Sequence, residues 1–164
     1  RNSQMHQKIC LLFALLEFEE YGAKYMSHMV HCSNYIGEKL RNYGFDIADW
    51  HGQISSTHQI FMRCSKEEMD LIYENAYKCE VTLNKKHKKL FLGDGIRLGT
   101  QEIARYDWND DALDTCAYIV KELANPEIKT KEVLELVHNL PPKEIHYTFP
   151  EDVQKRFKDL MLLH

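Results

Sequence analysis

The chain has 164 residues, of which 44% are hydrophobic and 28% are charged, and its formal net charge is −4. These values fit one globular domain with a sizeable core, and the negative charge argues against a general nucleic-acid binder, which needs a basic face. No apolar run has the length of a membrane span, and no signal peptide is visible. Together with the negative charge, this means that neither nucleic acid nor a membrane is an expected partner. The five cysteines are scattered and form no CxxC pair, which favours free thiols in the cytoplasm.

The first 44 residues carry helical periodicity. Asn2 or Ser3 is the candidate cap of a first helix, in which Met5, Ile9, Leu12 and Leu16 share one face. Gly22 is the candidate for a bend. A second apolar stripe then runs to Gly44, which is a typical helix terminator, through Tyr25, Met29, Cys32, Ile36 and Leu40.

The rest of the chain alternates strands and helices. Ser65 and Glu68 have the spacing of a capping box that opens a helix extending to about Tyr77. Strands are predicted at 45–48, 58–64, 80–83, 90–92 and 96–98, a basic turn at 84–89, and further helices from Asn109, at 131–139 and at 151–163. This order predicts an α+β fold, in which a long N-terminal helical segment precedes a small, mostly antiparallel sheet covered by helices.

The segment from Gly93 to Thr100 places one arginine between glycines and aliphatic residues. In a strand, Arg97 points away from the face occupied by Ile96 and Leu98. A guanidinium held in this way is a planar fork for a carboxylate or a phosphate. Arg97 is therefore the leading candidate for a binding residue.

Four strings, in order, resemble serine hydroxymethyltransferase. Gly95-Ile96-Arg97-Leu98-Gly99-Thr100 is similar to that family's glycine–aliphatic–Arg–aliphatic–Gly–Thr string, and Thr82-Leu83-Asn84-Lys85 to its Thr-Val-Asn-Lys segment. Residues 49–64, with His58 before the apolar run, resemble the strand that opens the small domain of that family. Residues 5–9 resemble the connection from its large domain, so the resemblance covers about residues 4–123.

This resemblance implies the small C-terminal domain of a pyridoxal-phosphate-dependent transferase of fold type I, the aspartate-aminotransferase fold. Residues 1–44 would be the helical connection from an absent large domain, and residues 45–164 the small domain. A first residue that is not Met, Arg1, suggests a fragment or a processed chain. Arg97 would bind the α-carboxylate of the amino-acid substrate, with His58, Asn84, Lys86 and Phe91 as possible residues of the active-site rim.

The resemblance also implies what lies elsewhere. The family's cofactor-bearing lysine belongs to the large domain, and no string here matches its surroundings, so we expect pyridoxal 5'-phosphate in the full-length enzyme only. We expect this chain alone to bind no cofactor and to be inactive. Its partners would be the large catalytic domain of the same protein, the amino-acid substrate and a second copy in a homodimer.

Departures from the family pattern leave the substrate open. Lys86 stands where the family has asparagine, the loop before the arginine string contains no proline, and Gln101 follows Thr100 in place of proline. Tetrahydrofolate use is therefore doubtful. The alternatives to serine and glycine interconversion are a folate-independent β-hydroxy-amino-acid aldolase, an aminotransferase of the same fold, or a non-catalytic binding module.

A metal site is not expected. His28 and His31 lie about one helical turn apart, with Cys32 adjacent, but no second pair of ligands accompanies them.

Overall fold

The structure is a computed structural model that describes residues 4–88 and 93–162. Within these residues the chain forms six helices and four strands. In chain order they are α1 (Met5–Asn42), β1 (Asp46–Ile47), β2 (Gln59–Arg63), α2 (Lys66–Lys78), β3 (Asn84–Lys88), β4 (Gly93–Gly99), α3 (Gln101–Arg105), α4 (Asp110–Leu123), α5 (Thr130–His138) and α6 (Glu151–Leu162). The predicted α+β fold, with a long N-terminal helix and a small antiparallel sheet, is confirmed.

Helix α1 is one element of 38 residues that runs through Gly22 without interruption. Gly22 is buried, and a β-carbon added to it would lie only 3.0 Å from the ring of Phe18. The helix ends as predicted before Gly44, whose φ of +94° suits glycine. The predicted caps Asn2 and Ser3 lie outside the described residues.

The sheet is antiparallel and has the strand order β1-β2-β4-β3. Residues 80–83, predicted as a strand, are irregular: Glu80 has a φ of +59° just after α2, and Val81 and Leu83 pack on the core without strand pairing. Residues 84–88, predicted as a basic turn, form edge strand β3 instead. Lysines suit an edge strand, because it pairs on one side and leaves its long side chains access to water. The strand predicted at 90–92 lies outside the described residues.

The core lies between one face of the sheet and the helices. From the sheet, Ile60, Met62, Ile96 and Leu98 are buried, and the second apolar stripe of α1 packs over them as predicted. On α4, Ala112, Leu113, Val120 and Leu123 are buried in this core, and Cys116 packs against it partly buried. Helix α3, a short helix of five residues between β4 and α4, was not predicted.

The segment after Pro141-Pro142 returns to the N-terminal half of α1. The ring of Phe13 contacts those of Phe149 and Phe157, with centroids 5.5 Å and 4.5 Å apart. Of the apolar face predicted for this half, Met5 and Leu12 remain exposed. Among the residues that the structure describes, no helix combines the length and apolar character needed to cross a membrane.

Candidate functional site

Arg97 lies in the middle of β4, on the sheet face that points away from the core. Ile96 and Leu98 on either side are 0% and 9% exposed, whereas the arginine is partly exposed, as the alternation predicted. Its neighbours across the sheet are Phe61 of β2 and Asn84 of β3. The arginine therefore extends from a central strand that is held on both sides.

A cavity of about 290 Å³ brings Arg97 together with two of the predicted rim residues, His58 and Asn84. The backbone carbonyl of His58 accepts a hydrogen bond from the Thr100 amide at 2.9 Å, so the start of β2 is fixed to the end of β4. The Nε2 atom of the His58 ring lies 3.2 Å from the side-chain amide nitrogen of Gln59. Residues nearly 40 apart in sequence thus face one space.

The other two rim candidates are not in this lining. Lys86 lies two residues beyond Asn84 on β3, opposite Gly95 and on the same side of the sheet, and it does not line the cavity. Phe91 lies outside the described residues. The sequence alone did not mark Thr82, Gln101 and Glu102 as lining residues. Their positions could have indicated this role, because Thr82 begins one of the strings that carry the resemblance and Gln101 and Glu102 follow the other.

The electrostatics of the cavity favour an anion at Arg97. No described residue forms a hydrogen bond or an ion pair with its guanidinium, so its donors remain available to a ligand. Glu102 supplies the acidic side chain of the lining, and the remaining described polar neighbours are histidine, threonine and amides. A planar guanidinium with free donors suits bidentate binding of a carboxylate.

Cavity size alone would select a different place. A cavity of about 470 Å³ lies near the other edge of the sheet, beside Arg63. The guanidinium of Arg63 already donates a hydrogen bond to the carboxylate of Asp46 at 2.9 Å. We therefore take the smaller cavity, whose arginine is available, as the candidate site.

His28 and His31 of α1 contact acidic side chains near the start of α4. His31 contacts the Asp110 carboxylate at 2.8 Å, and His28 lies 3.7 Å from that of Asp107, which ties α1 to the first residue of α4 and to the loop before it. In the described part of the chain, no group of three or more His, Cys, Asp or Glu side chains has the arrangement of a metal site.

Comparison with known proteins gives a consistent assignment. No family model matches the chain. The serine hydroxymethyltransferase of Methanocaldococcus jannaschii is 28% identical over an alignment that covers 92% of this chain and 38% of the relative. That of Methanobrevibacter smithii is also 28% identical, over 97% of this chain and 39% of the relative. The chain resembles the C-terminal part of serine hydroxymethyltransferase.

The chain spans less than two-fifths of the length of these serine hydroxymethyltransferases. Among solved structures, the L-threonine transaldolase of Pseudomonas fluorescens superposes with a TM-score of 0.72 at 18% identity, over 90% of this chain and 36% of that one. At this identity the likeness shows a shared fold. It agrees with the small-domain fold that the sequence strings predicted.

Proposed function

We propose that this chain supplies the substrate-binding arginine of a serine-hydroxymethyltransferase-like enzyme that interconverts serine and glycine. What supports this most is the position of Arg97, in a polar cavity with His58 and Asn84 and with no described partner for its guanidinium. Two parallel N–H···O bonds to the α-carboxylate would fix the orientation of the amino acid, and with it the direction of the bonds at its α-carbon. His58 and Asn84 can add hydrogen bonds at the rim of the same cavity.

Pyridoxal 5'-phosphate would act as the electron sink for bond cleavage at the α-carbon. The described lining of the cavity contains no lysine, so these residues do not fit covalent attachment of that cofactor. We assign its binding to the large catalytic domain of the same protein. The part of this chain is then to hold the substrate carboxylate.

The exposed apolar surface on the N-terminal half of α1 is evidence for a large partner domain. Five large apolar side chains there are 42–60% exposed: Met5, Leu11, Leu12, Leu15 and Phe18. Leu11, Leu15 and Phe18 follow helical spacing, and so they form one continuous apolar stripe. We propose that the large domain, or the second copy of a homodimer, covers this stripe.

The test is the kinetics of the full-length protein with serine, after replacement of Arg97 by alanine. Truncating one partner of a buried hydrogen-bonded charge pair costs about 2–5 kcal/mol, so kcat/KM should fall by about 30- to 5,000-fold. Arg63→Ala is the matched control, because Arg63 lies on the same sheet but is paired with Asp46. Near-normal kcat/KM in Arg97→Ala would refute the proposal.

A folate-independent aldolase acting on β-hydroxy amino acids is the second candidate, favoured by Lys86 and by the missing proline in the loop before the arginine string. Assays with serine, with and without tetrahydrofolate, and with a β-hydroxy amino acid separate the two. Folate-dependent turnover of serine supports the first candidate, and folate-independent cleavage supports the second. Absence of a cofactor lysine from the rest of the reading frame would instead support a non-catalytic module.

A further inference from the structure

A second cavity adjoins the arginine cavity, and its walls are mainly apolar. It has a volume of about 250 Å³ and reaches the buried side of the sheet. The side chains that define its character are Leu83, Leu98, Tyr106, Trp108, Val137 and Leu140. They come from the segment before β3, from β4, from the α3–α4 connection, and from α5 and the residues just after it, so the cavity exists only in the folded chain.

The two cavities share one wall. Thr82, Gly99, Glu102 and Ile103 line both of them, which places the apolar cavity directly beside the space in front of Arg97. Gly99 contributes no side chain to this wall. A β-carbon there would lie 2.6 Å from the side-chain oxygen of Gln101, so the glycine leaves room that the glutamine occupies. Around the end of β4, a charged binding group therefore lies next to an apolar recess.

We propose that the two cavities form one amphipathic site, which binds a carboxylate whose apolar tail enters the recess beside Arg97. This rests on the proposed role of Arg97 and adds a ligand class to it: carboxylates that carry an apolar group. Of the two candidate functions, this class fits a β-hydroxy amino acid with an apolar side chain and not serine or glycine. An apolar cavity of about 150 Å³ is sufficient for benzene in other proteins. A recess of about 250 Å³ is therefore large enough for a phenyl group or a short alkyl chain.

The experiment is a titration of the full 164-residue chain, followed by the amide NMR signals of β4 and α5. The probes are acetate, butyrate, hexanoate and the neutral 1-hexanol. Burying one methylene group is worth up to about a fourfold gain in affinity, so hexanoate should bind at least about tenfold more tightly than acetate. Arg97→Ala should weaken hexanoate and leave 1-hexanol unaffected.

Val137→Phe, which fills the recess, should abolish the gain in affinity between acetate and hexanoate. Leu140→Trp at the end of the same recess serves if the first variant does not fold, and Glu135→Gln on the exposed side of α5 is the matched control. The separate failures are distinguishable. Equal affinities for acetate and hexanoate, both lost in Arg97→Ala, would overturn the amphipathic site but retain the carboxylate-binding arginine. Tight binding of hexanoate that is unchanged in Arg97→Ala would overturn the role of the arginine, and with it the joint site.

Discussion

Replacement of Glu17 should release the C-terminal segment from α1 without unfolding the core. The Glu17 side chain is 13% exposed and accepts hydrogen bonds from the Thr148 hydroxyl and from the backbone amide of Phe149, the latter at 3.2 Å. It also lies 3.5 Å from the guanidinium of Arg105. One carboxylate thus joins α1, the end of α3 and the segment that leads into α6.

The size of the effect follows from these contacts. A hydrogen bond to a charged group contributes about 1.5–3 kcal/mol, and a partly exposed ion pair at 3.5 Å, such as that with Arg105, less than about 1 kcal/mol. Contacts to one carboxylate are not additive, so we expect Glu17→Ala to cost about 2–4 kcal/mol. The edge-to-face contacts of Phe13 with Phe149 and Phe157 remain, and each retains about 0.5–1.5 kcal/mol.

Hydrogen exchange measures this loss element by element. In Glu17→Ala, the amides of α6 should lose about 30- to 1000-fold of their protection, since 1.4 kcal/mol corresponds to a factor of ten. The amides of β2 and β4 should keep theirs. Glu17→Gln should lie between the variant and wild type, because its neutral oxygen still accepts, and Glu20→Ala on the exposed side of α1 is the control. Equal loss of protection in the sheet and in α6, or no loss in either, would refute this account.

Three further outcomes are expected. Gly37→Ala should destabilise the protein by about 1–3 kcal/mol, measured by urea unfolding, because the new β-carbon would lie 2.7 Å from the Ile54 side chain. Asn75→Ala should cost about 1–3 kcal/mol in the same assay, because the buried Asn75 amide donates to the carbonyl of Leu123 at 2.9 Å. Burial raises the pKa of the Cys32 thiol from 9.0 to about 12, so the folded chain keeps a proton that the unfolded chain loses. The contribution of Cys32 to the free energy of unfolding is therefore complete below pH 9 and declines as the pH rises from about 9 to 12.

Each of these has its own control. In an Ile54→Ala background, the cost of Gly37→Ala should shrink or reverse, since the methyl groups that it meets are gone, and an unchanged cost would contradict the clash. Glu74→Ala, exposed beside Asn75, should have little effect, and equal losses from both would argue against the buried hydrogen bond. Cys32→Ala should flatten the alkaline decline in stability, measured as urea midpoints at pH 8 and pH 10.5. A decline identical to that of wild type would rule out Cys32 as its source.

Local signals in the sequence predicted several elements correctly. The Ser65–Glu68 capping box opens α2 with both of its reciprocal hydrogen bonds, and the Asn109 side chain caps α4. Both motifs act within one helical turn, so they need no information from the rest of the chain. The position of Arg97 opposite its aliphatic neighbours is equally local, since it follows from the alternation of a strand.

The wrong strand predictions concern segments whose conformation depends on a neighbouring strand elsewhere in the chain. Residues 84–88 are polar and basic, yet they form a strand because the exposed edge of β4 offers them hydrogen bonds. Residues 80–83, in which polar and apolar side chains alternate, form no strand, because the chain turns at Glu80 and Val81 and Leu83 pack against the core from irregular backbone. Propensity ranks such segments wrongly, because strand pairing depends on the neighbour that tertiary structure supplies.

Local sequence was sufficient to predict the helix starts set by caps, the buried second stripe of α1, and an arginine on the outer face of a strand. That His58, Asn84 and Arg97 share a cavity follows from the tertiary structure, because β4 pairs not only with β3, its neighbour in the chain, but also with β2, which precedes α2. The tertiary structure also decided the contact between Glu17 and Thr148, which are 131 residues apart. Helix caps and apolar stripes depend on interactions within a few residues. The binding cavity and the contact of α1 with the C-terminal segment need surfaces that meet only after the core has formed.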